Sequence, residues 1–453
     1  RQGSMPCRVS RSRSRSPRVS RDRQSHEEAE EEVAFGPSGH DFSAPGPLPP
    51  AAQERVQELL QSGRLFRYQG GGAGDVADLE REFTEYIGMP YSMACNSGGC
   101  GMFLALKAVG VKDGSKVLVN AWTLAPVPGA VVHAGGTPVF VATDRDTLAI
   151  DIQDLEVQAK ASGAKVLLLS YMRGHVPDMD RVMEVVQRLD LTLVEDCAHT
   201  LGGMWRLDGE DHHRHLGAFG VASIWSLQTN KAINSGEGGL ISTSRQEIAS
   251  YITVATGSYG HFKLNGASGD PEHTAGIYTS IPNMSMRMSN IAAALALPQL
   301  RALSDKLASW ERHASIVRRA LLRCPHTRVV QKQSCESGKE RSVWTSIQFE
   351  LVDFSGSMVE EVMSRLAKLG IPLAWFGGPW RGFTSTLKDW KFADPSSEQW
   401  KPGYAETLKA LVDLPLYHTA SWKDGVFAKL GATIVEIVTD VAKTCSDGSE
   451  PRH

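Results

Sequence analysis

The sequence predicts an α/β protein with a mostly parallel sheet between helices, followed by a smaller α+β domain at the C-terminal end. Between residues 116 and 196, short and almost wholly apolar runs such as residues 165–169 alternate with helical segments. Strands that are apolar along their whole length are buried on both faces, which is typical of parallel sheets covered by helices. The chain has 453 residues, more than an average domain contains, so two domains and a tail are expected.

Composition defines the expected domain boundaries. The chain opens with an Arg/Ser repeat at residues 11–17 and an acidic block at 27–32, followed by Gly- and Pro-rich sequence. Such segments bury too little apolar surface to offset chain entropy, so we expect disorder. An appended extension is favoured over an RNA- or partner-binding tail. The expected parts are a disordered tail at 1–48, a large α/β domain at 49–303, a small α+β domain at 304–445 and a disordered end at 446–453.

The folded part is expected to begin with two helices. The first starts near Ala52 and ends at Gly63, and the second runs from an N-cap Asp75 to Gly88. Aspartate before an apolar helical pattern and glycine after it are helix start and stop signals.

A polar turn then follows the first expected strand. The strand covers residues 91–95, the turn is Asn96–Gly99, and a helix is expected from Cys100 to Val109. A glycine-containing turn at a helix N-terminus presents free N–H groups and the positive end of the helix dipole, which suits a phosphate group. A plain capped helix start is the other interpretation of this turn taken alone.

The alternation of strands and helices continues along the chain. Further strands are expected at 117–119, 137–141, 165–169, 191–196, 221–225, 238–243, 341–352 and 411–417, and further helices at 122–134, 151–162, 180–189, 291–303, 305–322, 357–369 and 421–444. Ligands of parallel sheets bind beyond the carboxyl ends of the strands. Asp196 stands at one such end, and the segment beyond Trp225 follows another.

Composition also limits the function classes. The net charge is −3 and the pI about 6.6, so no nucleic-acid binding is indicated. Seven scattered cysteines without a CxxC pair favour reduced thiols and a cytoplasmic protein over disulfides or a zinc site. The histidines at 212, 213 and 215 are interpreted as part of an exposed polar loop, so no metal site is expected. No apolar run is long enough for a membrane helix, and no secretory signal is visible.

Three features together suggest a phosphorylated pyridine cofactor. Lys231 follows an apolar strand and precedes a Gly-rich turn, so it is a candidate Schiff-base lysine. Asp196 could pair with a pyridinium nitrogen and keep it protonated, and the turn Asn96–Gly99 could hold the phosphate. Ser226 could add a hydroxyl to the phosphate, and His199 could lie over the ring.

Several segments match a known family in order and spacing. They include residues 76–88, 96–99, 134–141, 171–180, 195–199, 226–239, 287–289 and 414–417. The sequence thus resembles the DegT/DnrJ/EryC1/StrS family of pyridoxal-phosphate-dependent aminotransferases, which act on keto-sugars and cyclitols. The resemblance implies the fold of the type-I pyridoxal-phosphate-dependent transferases, which have a mostly parallel central sheet of the seven-stranded type. It also implies pyridoxal 5′-phosphate as the cofactor and a homodimer with shared active sites.

The resemblance assigns roles to individual residues. Lys231 and Asp196 are the expected catalytic residues. The expected cofactor-binding residues are Lys231, Asp196, His199, Ser226, Ser97, Gly98, Gly99, Trp122, Leu124 and Asn283.

Three positions depart from the family pattern. Gly99 replaces a hydroxyl residue of the phosphate turn, so only its N–H remains. Leu124 stands where the family has an aromatic residue that stacks on the cofactor, and Trp122 could take over that role. Ser285 stands where the family has an asparagine that reaches the phosphate of the partner subunit, and Asn283 could substitute for it.

Three functions are compared. The first is an aminotransferase that uses glutamate or glutamine as the amino donor and a keto-sugar or cyclitol ketone as the acceptor. The second is a pyridoxal-phosphate-dependent sugar dehydratase, although such relatives carry histidine where Lys231 stands. The third is a degenerate enzyme that acts as an interaction protein through its Arg/Ser tail, against which the intact Asp196, Ser226 and Lys231 argue.

Overall fold

The computed structural model describes residues 33–69, 74–261, 271–332, 338–379, 390–393, 406–417 and 419–446. Residues 1–32 of the predicted tail at 1–48 lie outside these ranges. Residues 447–453 of the predicted disordered end at 446–453 also lie outside them. The part of the predicted tail from Ala34 onward has a defined backbone. Phe42 is buried there, with its ring 5.0 Å from that of Trp422. The folded part therefore begins before the predicted boundary, because average composition conceals the few aromatic residues that anchor this segment.

The helices and strands follow the predicted order. The helices are α1 Pro50–Ser62, α2 Asp75–Ile87, α3 Gly98–Ala108, α4 Pro126–His133, α5 Ile152–Ser162, α6 Met179–Arg188, α7 Gln246–Ala255, α8 Pro271–Ile277, α9 Asn290–Arg301, α10 Leu303–Leu321, α11 Gly356–Lys368 and α12 Asp424–Ser446. The strands are β1 Tyr91–Cys95, β2 Lys116–Asn120, β3 Thr137–Val141, β4 Val166–Ser170, β5 Thr192–Asp196, β6 Met204–Trp205, β7 Arg214–His215, β8 Ala222–Ser226, β9 Gly239–Thr243, β10 Thr327–Val329, β11 Glu340–Arg341, β12 Ser346–Leu351, β13 Ala374–Trp375 and β14 Leu411–Pro415.

A seven-stranded sheet forms the centre of the fold. Its strand order is β1-β9-β8-β5-β4-β2-β3. Only β9 runs antiparallel to its neighbours, β1 and β8, while the pairs from β8 to β3 are parallel. The predicted α/β class with a mostly parallel sheet is therefore confirmed.

A second sheet is formed by the later part of the chain. It has four strands in the order β10-β12-β14-β13, and its pairs are antiparallel. Strands β11, β6 and β7 form a third, short sheet. Its strand β11 brings Glu340 opposite Trp205, so the later part of the chain pairs with a hairpin that follows β5.

Apolar side chains of the central sheet and of α3, α4 and α7 form one core. Strand residues such as Val117, Leu168, Val194 and Ile224 are completely buried in it. Complete burial of a Val, Leu or Ile side chain contributes about 1.5–3 kcal/mol each. This core holds the strand ends in fixed positions, which any site built on them requires.

Several predicted element boundaries were wrong. The helix expected from residue 122 begins at Pro126, because proline is favoured in the first turn and Trp122 to Ala125 form a turn before it. The predicted N-cap Asp75 is instead the first residue of α2, where its carboxylate pairs with Arg55 at 2.7 Å, and Gly74 occupies the cap position.

Other elements were misjudged or missed. Helix α3 begins at Gly98, two residues before the predicted start. The strand expected at 341–352 is divided into β11 and β12. Helices α7 and α8 were not predicted, nor were the short strands β6, β7, β10 and β13. Within the described ranges, every helix is too short or too polar to cross a membrane.

Candidate active site

Several of the predicted site residues lie at one edge of the central sheet. Strands β1, β4, β5 and β8 are parallel to one another, so their carboxyl ends lie at the same edge. The register pairs Ser170 with Asp196 and Asp196 with Ile224, and Ser226 is the last residue of β8. The loops that carry Ser97, His199 and Lys231 start from this edge.

Asp196 is a buried carboxylate with a defined orientation. The Ser170 hydroxyl donates to its Oδ2 at 2.7 Å, and the Ala198 N–H donates to its Oδ1 at 3.1 Å. Burial raises the pKa of Asp196, and the Ser170 and Ala198 hydrogen bonds and the charge of Lys231 oppose this shift. The carboxylate is therefore poised to accept a strong interaction from a cationic partner at the strand end.

A chain of polar groups supports Asp196 from behind. The Thr123 hydroxyl donates to Ser170 Oγ at 2.9 Å. The Asn120 side chain donates to Ser170 O at 2.6 Å and accepts from Ser170 N at 3.0 Å. All three side chains are buried. They fix the hydroxyl that orients the carboxylate, as supporting groups behind a reactive residue must.

Lys231 lies in the loop between β8 and β9. Leu227 N donates to Gly238 O at 2.9 Å, and Lys231 N donates to Gln228 O at 2.9 Å. These bonds close the loop and hold the backbone of Lys231 against the end of β8. The Gly-rich sequence allows this turn to form, because Gly236 has a φ of 77°. Glycine adopts such a φ without steric cost.

The amino group of Lys231 contacts a buried imidazole. Its Nζ lies 3.0 Å from Nε2 of His199. Burial lowers the pKa of Lys231 to about 7, and the positive charge of Arg173 adds to this shift. Burial also lowers the pKa of His199 well below its usual value, with the charges of Lys231 and Arg173 adding to it. A neutral imidazole can accept a hydrogen bond from the amino group, so His199 can orient Lys231.

The predicted phosphate turn is a capped helix start. The Ser97 side chain caps α3 by accepting from Cys100 N at 3.1 Å. The N–H groups of Gly98 and Gly99 belong to the first turn of α3. N–H groups in the first turn of a helix have no acceptor within that helix. They therefore lie at the positive end of the helix dipole, which suits an anion.

Close packing brings this turn against β8 and β9. A β-carbon on Gly98 would lie 2.9 Å from Cβ of Ser226, and one on Gly239 would lie 2.4 Å from Ser97 O. Both contacts are too short for any residue but glycine, so the glycines allow the turn to approach Ser226. A β-carbon on Gly99 would instead meet only Ser97 Oγ, at an ordinary contact distance of 3.9 Å.

The two candidates for the stacking residue differ in environment. Trp122 is buried in an apolar cluster, with its ring edge-on to Phe376 at 5.3 Å and near His175 at 5.6 Å. Leu124 is only partly buried and packs against the same cluster. The Trp122 ring is thus held by core contacts on two sides, and a stacking role for either residue stays a prediction.

Asn283 lies on an exposed segment near the phosphate turn. Asn96 N donates to Met286 O at 2.8 Å, which ties this segment to the turn. Ser285, which stands at the family's asparagine position, accepts from Arg287 Nη2 at 3.0 Å. Asn283 itself is exposed, and its proposed reach to a partner subunit stays a prediction.

Sequence reasoning missed Arg173 as a site residue. It was recognised only as part of the segment 171–180, yet its charge affects both Lys231 and His199. Its place three residues after the end of β4 was a usable signal, because that strand end is next to β5. The supporting residues Asn120 and Ser170 also occupy strand ends and could have been found in the same way.

Comparison with known proteins identifies the family of the chain. The DegT/DnrJ/EryC1/StrS aminotransferase family matches residues 49–385. GDP-perosamine synthase of Caulobacter vibrioides is 29% identical over 296 residues, which cover 65% of this chain and 74% of that protein. L-glutamine:2-deoxy-scyllo-inosose aminotransferase of Streptomyces fradiae is 33% identical over 208 residues, covering 45% of this chain and 46% of the relative.

Solved structures show the same fold. A sugar aminotransferase candidate from Streptococcus pneumoniae in its PLP form superposes with a TM-score of 0.73 at 20% identity. The superposition covers 88% of this chain and 98% of the other. The match of the family over residues 49–385 shows that the chain belongs to the DegT/DnrJ/EryC1/StrS aminotransferase family.

Proposed function

We propose that this chain is a pyridoxal-phosphate-dependent aminotransferase that moves an amino group from glutamate or glutamine to a keto-sugar or a cyclitol ketone. The observation that carries the proposal is the meeting of Lys231, Asp196 and the Ser97–Gly99 helix start at one sheet edge. The names of the relatives support the acceptor class, since they include a GDP-perosamine synthase and a scyllo-inosose aminotransferase.

The residues at this edge fit the cofactor. The N–H groups of Gly98 and Gly99 at the start of α3 and the nearby Ser226 hydroxyl offer a donor set for a phosphate group. Asp196 offers a desolvated carboxylate for a protonated ring nitrogen, and Lys231 offers an amine with a lowered pKa. When bound, pyridoxal phosphate supplies an electron sink for negative charge at the substrate carbon.

Lys231, His199 and Asp196 carry out the proton transfers and hold the reacting groups in position. Lys231 Nζ takes the proton from the α-carbon of the amino donor and returns a proton during the acceptor half of the reaction. His199 accepts a hydrogen bond from Lys231 at 3.0 Å and so directs its amino group. Asp196, held by Ser170, keeps a proton on the ring nitrogen of the cofactor.

Assembly and location belong to the same proposal. A homodimer is supported by the family resemblance and by the exposed Asn283 near the phosphate turn. A cytoplasmic location is supported by the free thiols of Cys95, Cys100, Cys197 and Cys324. The division into a large domain at 49–303 and a small one at 304–445 is supported by the separate seven-stranded and four-stranded sheets.

The experiment that tests the function is a substrate screen on the purified chain loaded with pyridoxal phosphate. Amino donors are mixed with the protein first, and the visible absorbance of the bound cofactor is expected to disappear with glutamate or glutamine. Keto-sugars and cyclitol ketones are then added, and the acceptor is the ketone that restores the band. A product that lacks a hydroxyl group and carries no new amino group would instead establish a dehydratase.

Covalent cofactor uptake is expected to depend on pH with a midpoint near 7. Only the neutral amine of Lys231 is nucleophilic, and burial lowers its pKa to about 7. Because the group is a base with a lowered pKa, the neutral fraction rises as pH increases and falls about tenfold per pH unit below the pKa. The uptake rate should therefore level off above about pH 8. A rate that continues to rise toward pH 10 would indicate an ordinary lysine and contradict the burial.

Gly98→Ala is expected to weaken cofactor binding and destabilise the fold. Its new methyl group would lie 2.9 Å from Cβ of Ser226, and overpacking of this kind costs about 1–3 kcal/mol. Denaturant unfolding with and without pyridoxal phosphate measures both effects. Gly99→Ala is the matched control, because only Ser97 Oγ, at 3.9 Å, lies near its added methyl group. Equal losses in the two variants would contradict the packing argument.

A further inference from the structure

Arg173 lies beside the residues that surround the amino group of Lys231. It follows β4 by three residues, and Tyr171 N in the same segment donates to Asp196 O at 3.1 Å. A β-carbon on the adjacent Gly174 would lie 3.4 Å from His199 O. The segment that carries Arg173 is therefore packed against both Asp196 and His199.

Within the described ranges, the guanidinium of Arg173 has one ionic partner, which comes from the four-stranded sheet. Its Nε lies 3.0 Å from Oδ2 of Asp413, a buried residue of β14. Asp413 is itself held by Gln348, whose Nε2 donates to Oδ1 at 2.6 Å. Although Nε lies close to Asp413 it forms no hydrogen bond, and no residue of the described ranges accepts a hydrogen bond from Nη1 or Nη2 of Arg173 either.

The backbone of Arg173 adopts a conformation that is uncommon for this residue type. Its φ is 53° and its ψ 20°, in the left-handed region. Such conformations are unfavourable for residues with a β-carbon and are concentrated at functional sites. Here the conformation occurs within a 3-10 turn, Met172–Gly174, directly after the strand end.

A second cation near the site is already engaged. Lys332 is buried, donates to Val343 O and lies 4.4 Å from the centre of the Trp344 ring. Arg173 differs because its side chain is 15% exposed and its two terminal nitrogens form a fork. A fork of this kind matches the two oxygens of a carboxylate.

The position of the fork distinguishes between the possible anions. In an amino acid, the carboxylate is attached to the same carbon as the amine that reacts. A phosphate of a nucleotide-linked sugar lies many bonds from its reacting ketone. The segment that carries Arg173 packs against Asp196 and His199, so an anion bound there fits the α-carboxylate of an amino acid better than a distant phosphate.

We propose that Arg173, oriented by Asp413, binds the α-carboxylate of the amino donor. The proposal rests on the function proposed above and names the residue that recognises the donor. The resulting preference for α-amino acids comes from a bidentate ion pair next to the reacting nitrogen. Arg173 is thus a substrate-binding residue, and Asp413 is a positioning residue.

The test compares two amines that differ only in the α-carboxylate. Protein loaded with pyridoxal phosphate is mixed rapidly with L-glutamate or with 4-aminobutanoate, and loss of the cofactor band is followed. Wild type is expected to react far faster with glutamate. In Arg173→Met the ratio of the two rate constants should fall about 10- to 100-fold, the loss typical of a charge-assisted pair, and cofactor titration of each variant corrects for any change in cofactor uptake. Arg173→Lys, which keeps the charge without the fork, should give a ratio between those of wild type and Arg173→Met.

Arg145→Met is the matched control. Arg145 also forms an ion pair with the four-stranded sheet, at 3.1 Å from Glu350, but its side chain is 58% exposed. Arg145→Met should leave the ratio of the two rate constants unchanged. An unchanged ratio in Arg173→Met would overturn the proposal, as would a loss confined to the half-reaction with a nucleotide-linked keto-sugar. Failure of the wild type to bind pyridoxal phosphate would refute the proposed function itself, and this inference with it.

Discussion

Lys231→Ala is expected to abolish the covalent link to pyridoxal phosphate and to reduce amino transfer by at least about 10²–10⁴-fold, the range for loss of a positioned acid–base group. The reason is that Lys231 supplies both the amine that bonds to the cofactor and the group that moves the proton. Its pKa of about 7, lowered mainly by burial, suits both tasks at neutral pH. Borohydride reduction of the loaded protein, followed by peptide mass analysis, should find the cofactor on Lys231 in the wild type.

Lys306→Ala provides the control for loss of a buried lysine. Burial lowers the pKa of Lys306 to about 8, and its Nζ donates to Ala232 O at 2.9 Å, whereas the Nζ of Lys231 contacts His199. This variant should lose stability but keep the reducible link and the amino transfer. A borohydride-reducible link that persists in Lys231→Ala would refute the assignment of Lys231.

Asp196→Asn is expected to lower amino transfer by roughly 10²–10⁴-fold, a range set by analogy with the loss of a positioned acid–base group. Asparagine keeps the size of the side chain but removes the negative charge. The cofactor ring nitrogen would then lose the partner that keeps it protonated, and the electron sink would weaken. Single-turnover rates with L-glutamate measure the chemical step, and cofactor titration shows that binding remains.

Asp154→Asn is the matched control for this substitution. Asp154 is also buried and also accepts a backbone hydrogen bond, from Ala142 N at 2.7 Å, but it lies in α5. The control should affect stability without affecting the single-turnover rate. If Asp196→Asn retained the wild-type rate, the carboxylate would have no catalytic role and the proposed orientation of the cofactor would be wrong.

Much of the fold could be predicted because its signals are local. The alternation of apolar strands such as 165–169 with helices identified the parallel sheet, which the order of β2 to β8 confirms. Glycines at helix ends were equally informative, since Gly63 and Gly88 both adopt the left-handed conformation that ends α1 and α2. Predictions failed where neighbouring groups outweighed local preference, as for Asp75, which pairs with Arg55 instead of capping a helix.

Part of the site could also be predicted, because several of its residues stand at or directly after strand ends. Lys231, Asp196 and the turn Asn96–Gly99 each follow a strand, and parallel strands bring their carboxyl ends together. Arg173 was missed because its importance depends on the charges around it, which come from residues far apart in the chain. The same holds for the hydrogen bonds of Asn120 to Ser170, which join the ends of two strands.

The sequence by itself determined the α/β class, the family and the positions of Asp196 at a strand end and of Lys231 in the loop after another strand. Hydrophobic periodicity and short motifs suffice for these, because they depend on residues close together in the chain. Only the tertiary structure decided that Lys231 contacts His199, that Gly98 approaches Ser226 and that Arg173 pairs with Asp413. Those contacts depend on burial and on distances between separate strands and loops, and burial is also what lowers the pKa of Lys231.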